Sequence, residues 1–290
     1  MNVAAEQRRL LRCKGKILDL TQRSHIMGVL NVTPDSFSDG GKFYDRDSAL
    51  RHALTMIDDG ADIIDIGGES TRPKGPYGEG AQPVSAQEEM DRVVPVIERL
   101  AASTGVIISV DTSKSDVAGE ALRAGAEMIN DISGLLFDPH IADVAAEHDA
   151  ALVVMHIRGT PSTMQIQPLY EDVVQEVKEV LRQSAGKASA SGVHDIVIDP
   201  GIGFGKDLNH NLSLIKHLSS FRELGYPVMI GTSRKGFIGS LLDLPVDQRV
   251  EGTAATVAAA LLNGADIVRV HDVKEMKRVA VVIDAIKRIP

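Results

Sequence analysis

The chain has 290 residues, 43% of them hydrophobic, and a formal net charge of −9. That is enough apolar material for one core of the size α/β barrels build, while the acidic balance and an aromatic content of 3% without Trp argue against nucleic-acid partners, which need a basic face or stacking platforms. No apolar run approaches the roughly 20 residues of a membrane span, so no membrane partner is expected.

Residues 1–25 stand outside the rhythm that follows. Their polar start, MNVAAEQRRLLRCKGK, lacks the apolar core of a signal peptide, which makes a cytoplasmic location the expectation. Cys13 is the only cysteine, so a disulfide framework is excluded and the thiol reads as passive. KGKILDLT reads as one strand of a hairpin that caps the bottom of the domain at 26–290.

From residue 26, short apolar, β-branched runs alternate with helical patterns. IMGVLN (26–31) ends at Asn31 and opens NVTPDSF, where Asn31 and Asp35 offer oxygens for Mg²⁺, an ion that takes few protein ligands when substrate phosphates supply the others. The plainer reading of that segment is turn chemistry. Leu50, Leu54 and Ile57 then mark one face of a helix before Gly60. DIIDIG (62–67) leads into STRPKGPYGEGAQPV (70–84), the most loop-like stretch of the chain, expected to order with ligand. Val93, Ile97 and Leu100 mark the next helix, and VIISVD (106–111) the next strand. Asp111 before Thr-Ser-Lys is the clearest candidate for a simple helix cap.

EMINDI (127–132) carries Asn130, and ALVVMH (151–156) ends at His156. Val173, Val177, Val180 and Leu181 repeat at helical spacing. DIVIDP (195–200) brings Asp199 to the glycine-rich DPGIGFGK (199–206). That loop is not GxGxxG, so a tight turn is the bland reading. Phe204 within it is suited to face a ring ligand, while Lys206 reads equally as a solvated charge or a ligand contact. Leu212, Ile215 and Leu218 share a helical face. PVMIGT (227–232) runs into Ser233-Arg234-Lys235, which opens a helix and offers backbone N–H groups to an anion. DIVRVH (266–271) puts Arg269 and His271 on one strand face, two residues apart, a pair suited to phosphate or pyrophosphate.

Eight such runs with intervening helices favour a single closed (β/α)8 TIM barrel over the runner-up, an open doubly wound sheet. Gly-Ala-Asp or Gly-Ala-Glu recurs just before strands at 60, 125 and 264, as a helix-ending glycine would. In such a barrel the site lies at the C-terminal strand ends. Polar residues gather there: Asn31, Glu69 to Arg72, Asp111, Asn130, His156, Asp199, Ser233 to Lys235, Arg269 and His271. Each alone could cap a helix, but a polar residue at nearly every strand end is costly unless used. Asp111, Asn130 and Asp199 together suit a flat, amide-like heterocycle. No Ser–His or Cys–His pair is evident.

With these blocks in hand, the sequence resembles the dihydropteroate synthase family from about Ile26 to the end. The blocks are MGVLNVTPDSFSDGG, IDIGGESTRP, SVDTSK, INDISG, VVMHIRGTP, IDPGIGFGK, GTSRK and VRVHDV, in order. The resemblance implies condensation of 6-hydroxymethyl-7,8-dihydropterin diphosphate with p-aminobenzoate, giving 7,8-dihydropteroate and pyrophosphate. It implies that Asp111, Asn130, Asp199 and Lys235 hold the pterin, with Met155 near its ring. It implies Asn31 on Mg²⁺, and Arg269 and His271 on the diphosphate. Asp35 and Phe37 fall on one mobile loop, Thr71 and Arg72 on a second, and Pro73, Phe204 and Ser233 border the p-aminobenzoate pocket. It also implies a homodimer through helices near the C-terminus. The chain departs from the family in a longer segment after STRP, KGPYGEGAQPVSAQEE. A pterin-binding methyltransferase or a non-catalytic pterin-binding relative is the alternative, against which the NVTPDSF, STRP, SRK and RVH blocks count.

Overall fold

A computed structural model describes residues 9–33, 42–70, 83–164 and 168–289. Two short strands, β1 (Leu10–Cys13) and β2 (Lys16–Asp19), pair antiparallel as a hairpin. Eight further strands are parallel: β3 (His25–Asn31), β4 (Ile63–Gly67), β5 (Ile107–Asp111), β6 (Met128–Asp131), β7 (Ala151–Met155), β8 (Ile196–Asp199), β9 (Met229–Ile230) and β10 (Ile267–Val270). Their order is β8-β7-β6-β5-β4-β3-β10-β9. A parallel bridge between Ile198 and Val228, with Val228 just ahead of β9, brings the two edges together into a nearly closed barrel. The closed reading is therefore the right one, and the open sheet is excluded.

The outer ring consists of α1 (Lys42–Asp58), α2 (Ala86–Ser103), α3 (Ser115–Ala124), α4 (Ile141–Glu147), α5 (Val173–Ala190), α6 (Leu208–Lys216), α7 (Gly236–Leu242), α8 (Val250–Leu262) and α9 (Val273–Lys287). Outward strand residues such as Ile26, Leu30, Ile64, Ile66, Ile108 and Val110 join helix residues such as Val93, Ile97 and Leu100 in one buried cluster. The expected face of α6 needs a correction. Leu212 is 38% exposed, and Asn211, Leu214 and Ile215 are the buried residues, because that helix presents the 211-214-215 edge to its neighbours.

Inside the barrel the residues change character along the axis. Near the N-terminal ends, Met27, Ile63, Ile107, Met128, Val153, Val197, Met229 and Ile267 form a second apolar cluster, closed from below by Leu11, Cys13, Leu18 and Leu20. This hairpin plug explains why Cys13 is buried and its thiol is pushed up to about 12 by burial, with Asp195 and Glu127 adding to it. One step along, the inward residues of five strands become polar: Asp65, Ser109, Asn130, Asp199 and Arg269, the first four 0–3% exposed. Successive side chains alternate faces, so an apolar outer face and a polar inner face coexist on strands whose buried runs look uniformly hydrophobic.

Candidate active site

The centre of the mouth is an acid–base network around Arg269. Its Nε donates to Asp65 Oδ2 at 2.6 Å and its Nη2 to Asp111 Oδ2 at 2.5 Å. Asn130 Nδ2 donates to the same Asp65 oxygen at 2.9 Å, reaching across β5. Asp65 is fully buried and lay outside the residues inferred from sequence. Its signal was present in DIIDIG, where an acid in a buried strand sits two positions beyond inward-facing Ile63, but the apolar flanks masked it. Gly67, next inward on β4, lies beside the Asp111 side chain, and a Cβ there would stand 3.5 Å from Asp111 Cβ, an ordinary contact.

Asp111 is therefore not the helix cap that its position before Thr-Ser-Lys allows. The N-cap of α3 is Lys114, without a side-chain cap bond, and Lys114 instead pairs with Glu69 and Glu89. Burial pushes Asp111 up to about 7 against the pull of Arg269, with Asp65, Glu89 and Asp131 adding to the rise. Burial likewise raises Asp199 to about 6, opposed by the Gly201 N–H and by Lys235, Arg269 and Lys206. The Gly201 N–H donates to Asp199 Oδ1 at 2.7 Å. Burial works against the Arg269 charge, but Asp65 and Asp111 raise its pKa above the usual arginine value.

Lys235 Nζ stands 4.1 Å from the centre of the Phe204 ring, a cation–π contact. Burial and Arg269 lower it to about 8, with Asp199 and Asp111 pulling the other way. Phe204 lies in a small apolar cluster with Met155, Ile132, Ile157 and Met164, one wall of an otherwise polar mouth. Met155 is paired in register with Asp199 on the adjoining strand.

At the end of β10, His271 Nδ1 lies 3.0 Å from Ser233 Oγ, and that oxygen also accepts the His271 backbone N–H at 3.2 Å. A Ser–His pair is thus present although none is evident in sequence. The two residues are 38 positions apart and meet only because β9 and β10 are neighbours. Burial, then Arg269 and Arg234, lower His271 to about 4, so it is neutral at pH 7. The tautomer in which the Ser233 hydroxyl donates to Nδ1 would carry its single N–H on Nε2. Of the pair, His271 is neutral and Arg269 carries the charge, shared between two carboxylates.

Two further expectations are corrected. The Arg234 N–H donates to Thr253 Oγ1 at 3.1 Å and the Lys235 N–H to the Thr232 carbonyl at 3.2 Å, so these two amides are already engaged and do not wait for an anion. Lys206 is neither solvated nor a surface charge. It is 2% exposed, and its pKa is lowered well below the lysine range by burial.

The Ser233–Lys235 segment is held from behind by Arg249. This residue is 3% exposed and donates to the carbonyls of Arg234 at 3.1 Å and Leu244 at 2.9 Å. Arg234 itself has φ 57°, a left-handed backbone uncommon outside glycine, and Arg249 contributes to holding it. Asn31 is exposed at the end of β3. Among the described residues no group of three or more His, Cys, Asp or Glu side chains forms a metal cluster, and no helix is long and apolar enough to cross a membrane. Asp35, Phe37, Thr71, Arg72 and Pro73 lie outside the described residues.

Comparison with known proteins gives a consistent result. Residues 27–271 match the model of the pterin binding enzyme family. A dihydropteroate synthase of Bacillus subtilis (strain 168) is 50% identical over 282 residues, covering 97% of this chain and 94% of its own. The structure of Yersinia pestis dihydropteroate synthase with a sulfonamide drug complex superposes with a TM-score of 0.89 at 44% identity, covering 97% of this chain and 100% of that one. That of Xanthomonas albilineans dihydropteroate synthase with 4-aminobenzoic acid has a TM-score of 0.89 at 42% identity, covering 98% and 100%.

Proposed function

The chain belongs to the dihydropteroate synthase family of pterin-binding enzymes, and from that premise we propose how its residues divide the reaction. The activity is the family's: 6-hydroxymethyl-7,8-dihydropterin diphosphate and p-aminobenzoate condense to 7,8-dihydropteroate and pyrophosphate. The C–O bond to the diphosphate breaks, a C–N bond to the aromatic amine forms, and the amine loses a proton.

In our assignment Asp111, Asn130, Asp199 and Lys235 hold the pterin, with Met155 beside its ring. The observation that carries this is a set of buried oxygens without partners among the described residues: Asn130 Oδ1, Asp65 Oδ1 and Ser109 Oγ. The amide of Asn130 spends its N–H on Asp65, which leaves its carbonyl oxygen to accept. A buried acceptor is expensive without a donor, and the amino-pyrimidine edge of a pterin carries such donors. The carboxylates of Asp111 and Asp199 offset the positive charge that develops at the pterin methylene and spreads into the ring.

Arg269 and the Nε2–H of His271 receive the diphosphate. Phe204, Ser233 and Lys235 border the p-aminobenzoate, with Thr71, Arg72 and Pro73 assigned there by family likeness. Mg²⁺ suits the donor set only as an ion with few protein ligands. Asn31 would supply one amide oxygen at the mouth, with substrate phosphates among the remaining ligands. When bound, the ion neutralises charge on the departing pyrophosphate. We also propose a cytoplasmic homodimer. Its support is the exposure of apolar side chains on three consecutive helices near the C-terminus, Leu241, Leu242, Leu262, Val281, Val282 and Ile286, each 45–58% exposed.

The test is pyrophosphate release by purified protein. Release should require the pterin diphosphate, p-aminobenzoate and Mg²⁺ together, with 7,8-dihydropteroate formed in equal amount. Tight pterin binding without any condensation product would overturn the assignment.

A further inference from the structure

Lys206 closes the glycine-rich loop after β8 and has no part in the roles assigned above. Its Nζ lies 2.9 Å from the Phe204 carbonyl, 2.9 Å from His156 Nδ1 and 3.4 Å from the His156 carbonyl. One amine therefore ties the loop after β7 to the loop after β8. None of these three partners is a carboxylate. Burying an amine with no carboxylate in hydrogen-bond contact is unfavourable, Asp199 acting on it only through its charge, and an apolar side chain of similar length would fill the same space at no such cost. What the amine adds is the placement of two backbone segments.

The rest of the loop is held by other groups. Asp199 Oδ1 accepts from the Gly201 N–H, Asn211 Oδ1 accepts from the Gly203 N–H at 2.7 Å, and Tyr170 Oη donates to the Gly205 carbonyl at 2.8 Å. The Phe204 carbonyl falls to Lys206. Gly203 and Gly205 flank Phe204 with φ of 83° and 67°, so the Phe204 peptide sits between two permissive backbone positions. Its ring is nonetheless only 9% exposed and sits under the Lys235 ammonium.

We propose that Lys206 is a positioning residue that sets the Phe204 ring against Lys235 and thereby tunes affinity for the aromatic amine substrate. The inference rests on the assignment of Phe204 to the p-aminobenzoate side. Lys206 touches no substrate; it acts through the Phe204 backbone.

The experiment compares wild type with Lys206→Met, Lys206→Gln, Lys206→Arg and Phe204→Ala, measuring KM for each substrate, kcat and the melting temperature. A displaced contact wall weakens binding of the group it faces, so Lys206→Met should raise KM for p-aminobenzoate about tenfold and leave KM for the pterin diphosphate within about twofold. Lys206→Arg, which keeps donors at the end of a long side chain, should recover part of the loss, and Lys206→Gln should fall between. If the Met variant does not fold, the Gln and Arg variants carry the same comparison. Folded Lys206 variants that lose melting temperature while both KM values stay at wild type would overturn the proposal, as would an equal rise in both. Phe204→Ala separates the two readings. If it leaves KM for p-aminobenzoate unchanged, the assignment of Phe204 fails; if it raises that KM and the Lys206 variants do not, the role of Lys206 fails.

Discussion

Replacing Asp65 by Asn keeps the shape of the side chain and removes one of its two acceptor oxygens. In the wild type a single carboxylate oxygen takes Arg269 Nε at 2.6 Å and Asn130 Nδ2 at 2.9 Å. The variant's amide either turns its NH₂ toward both donors or keeps an oxygen there without the charge. A hydrogen bond to a charged partner contributes about 1.5–3 kcal/mol, and stripping a partner from a buried ion costs about 3–5 kcal/mol. Arg269 keeps Asp111, so the lower end, about 3 kcal/mol, applies. At 1.4 kcal/mol per tenfold, kcat/KM for the pterin diphosphate should fall about 100-fold. The melting temperature should fall by about 6 °C, at roughly 2 °C per kcal/mol for a chain of this length. Pyrophosphate release under varied pterin diphosphate gives the first number and thermal unfolding gives the second. An Asp65→Asn enzyme within about threefold of wild type in kcat/KM, and as heat-stable, would refute the view that this carboxylate holds the two groups together.

Other consequences follow from the same site. Asp199 and Asp111 titrate near 6 and 7 and Lys235 near 8, so kcat/KM should be bell-shaped. It should fall as pH drops below about 7, where the carboxylates protonate, and above about 8, where the ammonium is lost. Asp199→Asn should flatten the acid limb and Lys235→Arg the alkaline one, read from initial rates across pH. The same raised carboxyls act on stability with the opposite sense: each binds more protons folded than unfolded from about pH 4 up to its raised pKa, so their contribution to stability should decline as pH rises through that window, against the rise contributed there by His271, which burial lowers to about 4. Chemical denaturation of Asp199→Asn should show a shallower decline. Gly201→Ala puts a Cβ 2.0 Å from the His156 carbonyl at φ 69°. The left-handed backbone alone costs about 1–3 kcal/mol, so thermal unfolding should show a clear loss of stability with reduced turnover. Arg249→Ala strands the carbonyls of Arg234 and Leu244; at about 1–3 kcal/mol for a buried unsatisfied group, the variant should melt earlier and show a raised KM for p-aminobenzoate.

The chain by itself determined a parallel sheet covered by helices on its outer side and favoured its closure, because eight apolar runs separated by amphipathic helices must bury both faces of every strand; the bridge between Ile198 and Val228 decided the closure. It also placed Asp111, Asn130, Asp199, Lys235, Arg269 and His271 at one end, because parallel strands deliver their C-terminal residues to a common mouth. It did not tell which of these groups touch. Arg269 stands 204 positions from Asp65 and 158 from Asp111, and no local pattern encodes a pairing that arises only when the sheet closes. Asp65 was hidden by its apolar neighbours, since inward and outward residues of a strand buried on both faces cannot be told apart by hydrophobicity. Lys206 could be read as a surface charge because lysines usually are; only the packing of two loops makes it a buried tie. Protonation was likewise decided in three dimensions. His271 is neutral, and Asp111 sits near 7, because burial and neighbouring charges set a pKa, and both are properties of the folded mouth.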